Sequence, residues 1–207
     1  KETLTGFKFI AEAIRQEEGK SQYVVGGEES YGYLVGDEVR DKDAVQSCCL
    51  LAELAHDLHV RGEGMLDRLA DLHRRHGAYK EGLMSVVKEG REGRAQIEAM
   101  MLKFRSAPPM ELAGERVIEI LDFQSREARS PEGAMLRALS QASSNVMQFV
   151  TDSGSRVTVR PSGTEPKIKC YASVREDWDG MGSHSDVMNL LQSRVEAHFR
   201  ALGVQGH

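Results

Sequence analysis

The chain has 207 residues, 40% apolar and 29% charged, the balance of an ordinary globular protein. Its formal charge of −5 argues against a broad basic surface for nucleic acid. It leaves room for a local cationic site made of a few well-placed Arg and Lys residues. Cys48, Cys49 and Cys170 are too few and wrongly spaced for a disulfide framework or a cysteine zinc site. They read as reduced thiols of a cytoplasmic protein. No apolar run approaches the ~18 residues of a membrane span. The chain opens at Lys1 without a methionine and enters helical patterning at once, which reads as a fragment.

Phe7, Ile10, Ala11 and Ile14 predict a helix over residues 7–18, and Gly19 ends it. Gln22 to Val25 is a short β-rich run that Gly26 and Gly27 close, and residues 28–39 show no regular pattern. A helix follows over 42–58 with Val45, Cys48, Ala52 and Ala55 as its apolar stripe and Asp41 as its N-cap. Residues 65–75 predict another helix and 79–88 a strand. The charged, glycine-bearing stretch 89–93 then marks a boundary, giving domains 1–90 and 91–207.

The second domain opens with a helix over 94–105, stopped by Pro108 and Pro109. Strands are expected at 115–123, 146–151, 156–160 and 168–174. The turn Asp152-Ser153-Gly154-Ser155 joins the second and third of these. Residues 124–144 read as a polar excursion, and 187–202 as a closing helix. The fold class is therefore an α/β unit followed by an α+β domain, an antiparallel sheet flanked by helices.

Three segments carry chemistry. Arg160-Pro161-Ser162-Gly163-Thr164-Glu165-Pro166-Lys167 lies between two strands. Arg160 offers a bidentate fork, Ser162 and Thr164 hydroxyls, and Gly163 a backbone free to turn its amides inward. Lys167 and Lys169 share one side of the next strand, with Ile168 and Cys170 toward the core. That set suits a phosphate, and it equally suits a polar turn; residue chemistry alone does not choose. Gly26-Gly27-Glu28-Glu29-Ser30-Tyr31-Gly32 could bring carboxylates and a hydroxyl to sugar hydroxyls, or be a solvated glycine loop. Lys8, in Thr5-Gly6-Phe7-Lys8-Phe9-Ile10, stands at a helix start where solvated lysines are common. His56 with His59 and His73 with His76 have helical spacing but no third metal ligand in view.

Together and in this order, these three segments resemble the α-D-phosphohexomutase family, which includes phosphoglucomutases and phosphomannomutases, over essentially the whole chain. The resemblance implies that residues 5–10 enter the helix of the family's third domain and that residues 27–32 form its sugar loop. Residues 160–164 would form the phosphate loop of its fourth domain. It implies that Glu28 and Ser30 bind sugar hydroxyls, while Arg160, Ser162, Gly163 and Thr164, aided by Lys169, hold the non-reacting phosphate. Lys8 matches a proposed general acid/base. The family moves phosphate between a phosphoserine and a hexose, with Mg2+, through a hexose 1,6-bisphosphate. Neither its serine loop nor its magnesium loop has a match here, so the expectation is a C-terminal half that holds no metal and does not turn over alone. Its partners would be a sugar phosphate and the enzyme's N-terminal domains. Glu29 and Tyr31 resemble phosphoglucomutases more than phosphoglucosamine mutases. The competing readings are a stand-alone sugar-phosphate-binding module and a structural α/β protein.

Overall fold

The structure is a computed structural model that describes residues 3–28, 31–88 and 90–204. It divides into two compact units between Leu69 and Ala70.

In the first unit, α1 (Phe7–Glu17) buries Phe7 and Ile14, two turns apart on one face, against Leu34. Strands β1 (Val25–Gly27) and β2 (Tyr33–Val35) pair as an antiparallel hairpin. The expected strand at 22–25 is thus displaced toward the C-terminus, and the patternless stretch contains β2. Gly26 and Gly27 lie within the strand, which ends at Gly27. They sit opposite Leu34 and Tyr33, and a Cβ at Gly27 would come within 2.7 Å of the Tyr33 ring. Helix α2 (Ala44–Val60) is capped by Asp43, whose carboxylate accepts from the Gln46 amide at 2.9 Å. Asp41 is not the cap. The Asp43 amide donates to the Tyr33 carbonyl at 2.9 Å, which fixes Asp43 as the last extended residue before the helix. The expected stripe of Val45, Cys48, Ala52 and Ala55 is exposed, and of α2 only Leu58 is buried.

Helix α3 (Met65–His76) straddles the division. The second unit is built on β3 (Ala78–Val87), β5 (Glu115–Asp122), β6 (Glu127–Arg129), β7 (Met135–Ala138), β8 (Met147–Thr151), β9 (Arg156–Pro161) and β10 (Lys167–Glu176). All ladders are antiparallel in the order β3-β10-β9-β8-β5-β6-β7, with β4 (Glu111–Leu112) against β5. The boundary expected near residue 90 is corrected here. Strand β3 pairs along its whole length with β10, so it belongs to the second sheet. The polar excursion is corrected too, because β6 and β7 extend the sheet through main-chain bonds.

Helices α4 (Gly90–Ser106) and α5 (His184–Ala201) cover one face of this sheet. On β10, Ile168, Cys170, Ala172 and Val174 are buried and alternate with half-buried Lys167, Lys169, Tyr171 and Ser173. The buried set packs with Ile97, Met101 and Phe104 of α4 and with Val187, Leu191 and Val195 of α5. The other face of β9 and β10 is left to polar side chains.

A buried polar clasp ties α5 to the sheet. The Glu115 carboxylate accepts from Thr151 Oγ1 (2.7 Å), Ser153 Oγ (2.6 Å) and Arg194 Nη2 (2.8 Å), and His198 Nε2 lies 3.4 Å away. Burial pushes the Glu115 carboxyl up, but the hydrogen bonds from Ser153, Thr151 and Arg194 outweigh it and bring its pKa down to about 2. Burial lowers the pKa of His198, against the opposing field of Glu115.

Candidate functional site

The 160–166 loop joins β9 to β10, and the register of those strands decides what stands beside Arg160. It is opposite Lys169, on the face that the helices do not cover. Directly paired residues bring their Cβ atoms to about 5 Å, so the two cations share one small area. Among the described residues, no carboxylate forms an ion pair with either. That contrasts with Arg74 and Arg75, which both pair with Asp71, and with Arg175, which pairs with Asp177. Two adjacent half-buried cations with no ion-pair partner among the described residues make a positive site, although the field of Lys169 does reach the exposed Glu165 carboxylate.

The loop's own bonds prepare its donors. Ser162 N–H donates to the Lys167 carbonyl at 2.8 Å, while Ser162 Oγ accepts from the amides of Thr164 (3.4 Å) and Glu165 (3.3 Å). With Oγ accepting, the serine's O–H remains a donor. Lys167 is engaged by Glu165, and that hydrogen bond, with the charge of Lys167, lowers the Glu165 pKa. Gly163 and Thr164 are exposed at the tip, and a Cβ at Gly163 would meet nothing. The chain's own packing therefore does not demand a glycine there. Burial of Cys170 pushes its thiol up to about 12, which makes it a core residue rather than a nucleophile.

In the first unit the β1–β2 hairpin presents Glu28. Its amide donates to the Gly32 carbonyl at 2.9 Å, and its carbonyl accepts from the Tyr31 amide at 3.2 Å. Tyr31 is held at φ 65° and is 87% exposed, an outlier conformation for a bulky residue at the loop tip. A Cβ on Gly32 would lie 2.9 Å from Glu28 Oε2 and 2.8 Å from Lys42 Cγ, so the bare glycine lets carboxylate and lysine close over it. Ser30, with Glu29, lies outside the described residues.

Lys42 is the residue that sequence reasoning missed. Its ammonium donates to Asp41 at 2.7 Å and stands 5.3 Å from the Phe7 ring centre. The hydrogen bond to Asp41 raises its pKa, and the field of Glu28 adds to the rise. It is thereby a charged group between the Glu28 loop and the start of α1. Lys8 is exposed, with its ammonium 4.9 Å above the Phe9 ring. His56 and His59 are exposed, while His73 instead bonds His184 through facing ring nitrogens at 2.8 Å. Among the described residues, no three His, Cys, Asp or Glu side chains come together to hold a metal ion, and no helix is long and apolar enough to cross a membrane.

Comparison with known proteins covers both units. The family description "Phosphoglucomutase/phosphomannomutase, alpha/beta/alpha domain III" matches residues 1–76. The C-terminal domain of the same family matches residues 124–180. A phosphoglucomutase of Staphylococcus aureus (strain N315) is 39% identical over 189 residues, spanning 91% of this chain and 34% of that protein. One from Staphylococcus haemolyticus is 41% identical over 177 residues, 86% of this chain and 32% of that protein. The chain thus spans about a third of the length of these curated relatives. Among solved structures, the open form of pp63/parafusin, a phosphoglucomutase from Paramecium, superimposes with a TM-score of 0.53. It is 14% identical and covers 98% of this chain and 34% of its own, a likeness of fold.

Proposed function

The chain belongs to the phosphoglucomutase/phosphomannomutase family, and on that premise we propose that it acts as the C-terminal part of a phosphohexomutase that interconverts glucose 1-phosphate and glucose 6-phosphate. In this reading Arg160, Ser162, Gly163, Thr164 and Lys169 hold the phosphate that does not react. Glu28 and Ser30 accept from and donate to the sugar hydroxyls, Lys42 keeps Glu28 in place, and Lys8 moves a proton at the reacting oxygen. Gripping the inert phosphate and the central hydroxyls suits a reaction whose bisphosphorylated intermediate must turn end for end, because the same contacts can be remade in either orientation. The reacting phosphoserine would come from other parts of the enzyme. Magnesium belongs to that chemistry, but the described residues do not offer a ligand set for it.

The observation that supports the reading most is the Arg160–Lys169 couple, which has no ion-pair partner among the described residues, beside a loop whose Ser162 hydroxyl accepts two amides and keeps its own O–H to donate. Calorimetry with the 207-residue chain tests it. Glucose 1-phosphate and inorganic phosphate should bind measurably and glucose should not, and Arg160→Ala should abolish the difference. Equal binding of glucose and glucose 1-phosphate would contradict the phosphate assignment. Steady conversion of glucose 1-phosphate by this chain itself, with magnesium and a trace of the 1,6-bisphosphate present, would contradict the division of labour.

A further inference from the structure

Where β3 gives way to α4, two residues outside the site meet. Lys88 follows the last residue of β3 and is only 9% exposed. Its amide donates to the carbonyl of Pro166 at 2.8 Å. Pro166 closes the loop that Arg160 opens. The next residue, Lys167, pairs with Val87 and receives the Ser162 amide. The end of β3 therefore holds one end of the loop, as β9 holds the other.

Gly93 is buried on α4 directly against this junction. A Cβ there would run into the carbonyl group of Lys88 and lie 2.7 Å from its Cβ. Main chain cannot rotate aside as the tip of a flexible side chain can, so relief requires the helix and the strand end to separate. Close-packed interiors pass such a displacement on rather than absorb it. The amide that separation would move is the one holding Pro166.

We propose that the β3–α4 junction, through the Lys88 amide and the bare Cα of Gly93, positions the anion-binding loop 160–166. The proposal rests on that loop being the phosphate site. The loop needs such a brace because its internal bonds at Ser162 Oγ are long, 3.3 and 3.4 Å. Donors that converge on an anion must be held to about 0.5 Å. The Lys88 ammonium is not part of the brace. By strand alternation its side chain lies on the helix-covered face with Val86, away from Arg160 and Lys169.

The test titrates the 207-residue chain and its variants with inorganic phosphate, following backbone amides by NMR. Gly93→Ala is expected to weaken binding about tenfold, since a displacement near 1 Å can cost as much as a hundredfold. Lys88→Met, which keeps the amide and deletes the charge, should stay within about twofold. In the unmodified chain, phosphate should shift the Lys88 amide along with those of Ser162 and Thr164, a readout that stands even if Gly93→Ala does not fold. The brace is overturned if Gly93→Ala binds phosphate as the unmodified chain does, if the Lys88 amide is silent, or if Lys88→Met loses as much as Gly93→Ala. Arg160→Ala separates the two levels. If it binds phosphate undiminished, the phosphate site and the brace fall together; if it loses phosphate while Gly93→Ala does not, the brace alone falls.

Discussion

In α2, Leu50, Leu51 and Leu54 are 45%, 53% and 39% exposed, whereas Val187, Leu191 and Val195 of α5 are 9% exposed or less. The helices are nearly equal in length, 17 and 18 residues. What differs is the surface each is offered. Helix α5 lies on β3 and β10, ten-residue strands that offer it buried Ala78, Ala172 and Val174, while the sheet of the first unit is a hairpin of three-residue strands. Apolar burial stabilises in proportion to area, about 25 cal/mol per Å2, so the same side chains hold one unit together and contribute little to the other. The two candidate loops inherit this difference. The Arg160 loop grows out of a closed core, whereas the Glu28 loop is kept in shape by local contacts: the Gly32 bond, the Asp43–Tyr33 bond and Lys42.

Breaking the closed core should have the largest effect. Phe149, fully buried against Phe104, should cost about 3–5 kcal/mol on change to Ala, read from urea unfolding. A loss below about 1 kcal/mol would mean the sheet unit is not the stable partner in the comparison. Next comes the loop on that core. Arg160→Ala should lose about 1.5–3 kcal/mol of glucose 1-phosphate binding, roughly ten- to a hundredfold. Arg160→Lys should recover only part, because it restores charge without the fork.

Acid should open the same unit more gently. The depressed Glu115 carboxyl contributes stability that is complete above its ordinary 4.5 and lost as pH falls toward about 2. Buried His198, also lowered, begins the loss below its ordinary 6.5. Thermal midpoints between pH 7 and 3 should fall by the equivalent of about 2 kcal/mol in all, and Glu115→Gln should flatten the lower limb. A level profile in the unmodified chain would deny the clasp its role. The smallest effect belongs to α2, where Leu51→Ser should change stability by under about 0.5 kcal/mol. A larger loss would show that α2 contributes more than its exposed face indicates.

How much of this was legible before the structure depended on how local the signal is. Helices α1, α3 and α5 and strands β5, β8, β9 and β10 follow from periodicity that neighbouring residues carry. The boundary did not, because β3 declares its partner only through pairing with β10 far along the chain. Strand β7 was hidden for another reason. All four of its residues are exposed, so no alternation marks it, and main-chain bonds to β6 define it. At the site, the Arg160 loop and the inward Ile168 and Cys170 could be read from a hairpin register. Lys42 could not, since only folding brings it beside Glu28.

The central claim is that the anion is held at Arg160 and Lys169 and not at the other arginines of the sheet unit. Titrating the chain with glucose 1-phosphate and following every backbone amide by NMR tests it most directly. The shifts should centre on Ser162, Gly163 and Thr164, extend to Lys169, and weaken as salt screens the charges. A response centred on Arg74, Arg75 and Arg175, with the 160–166 loop silent, would contradict the account.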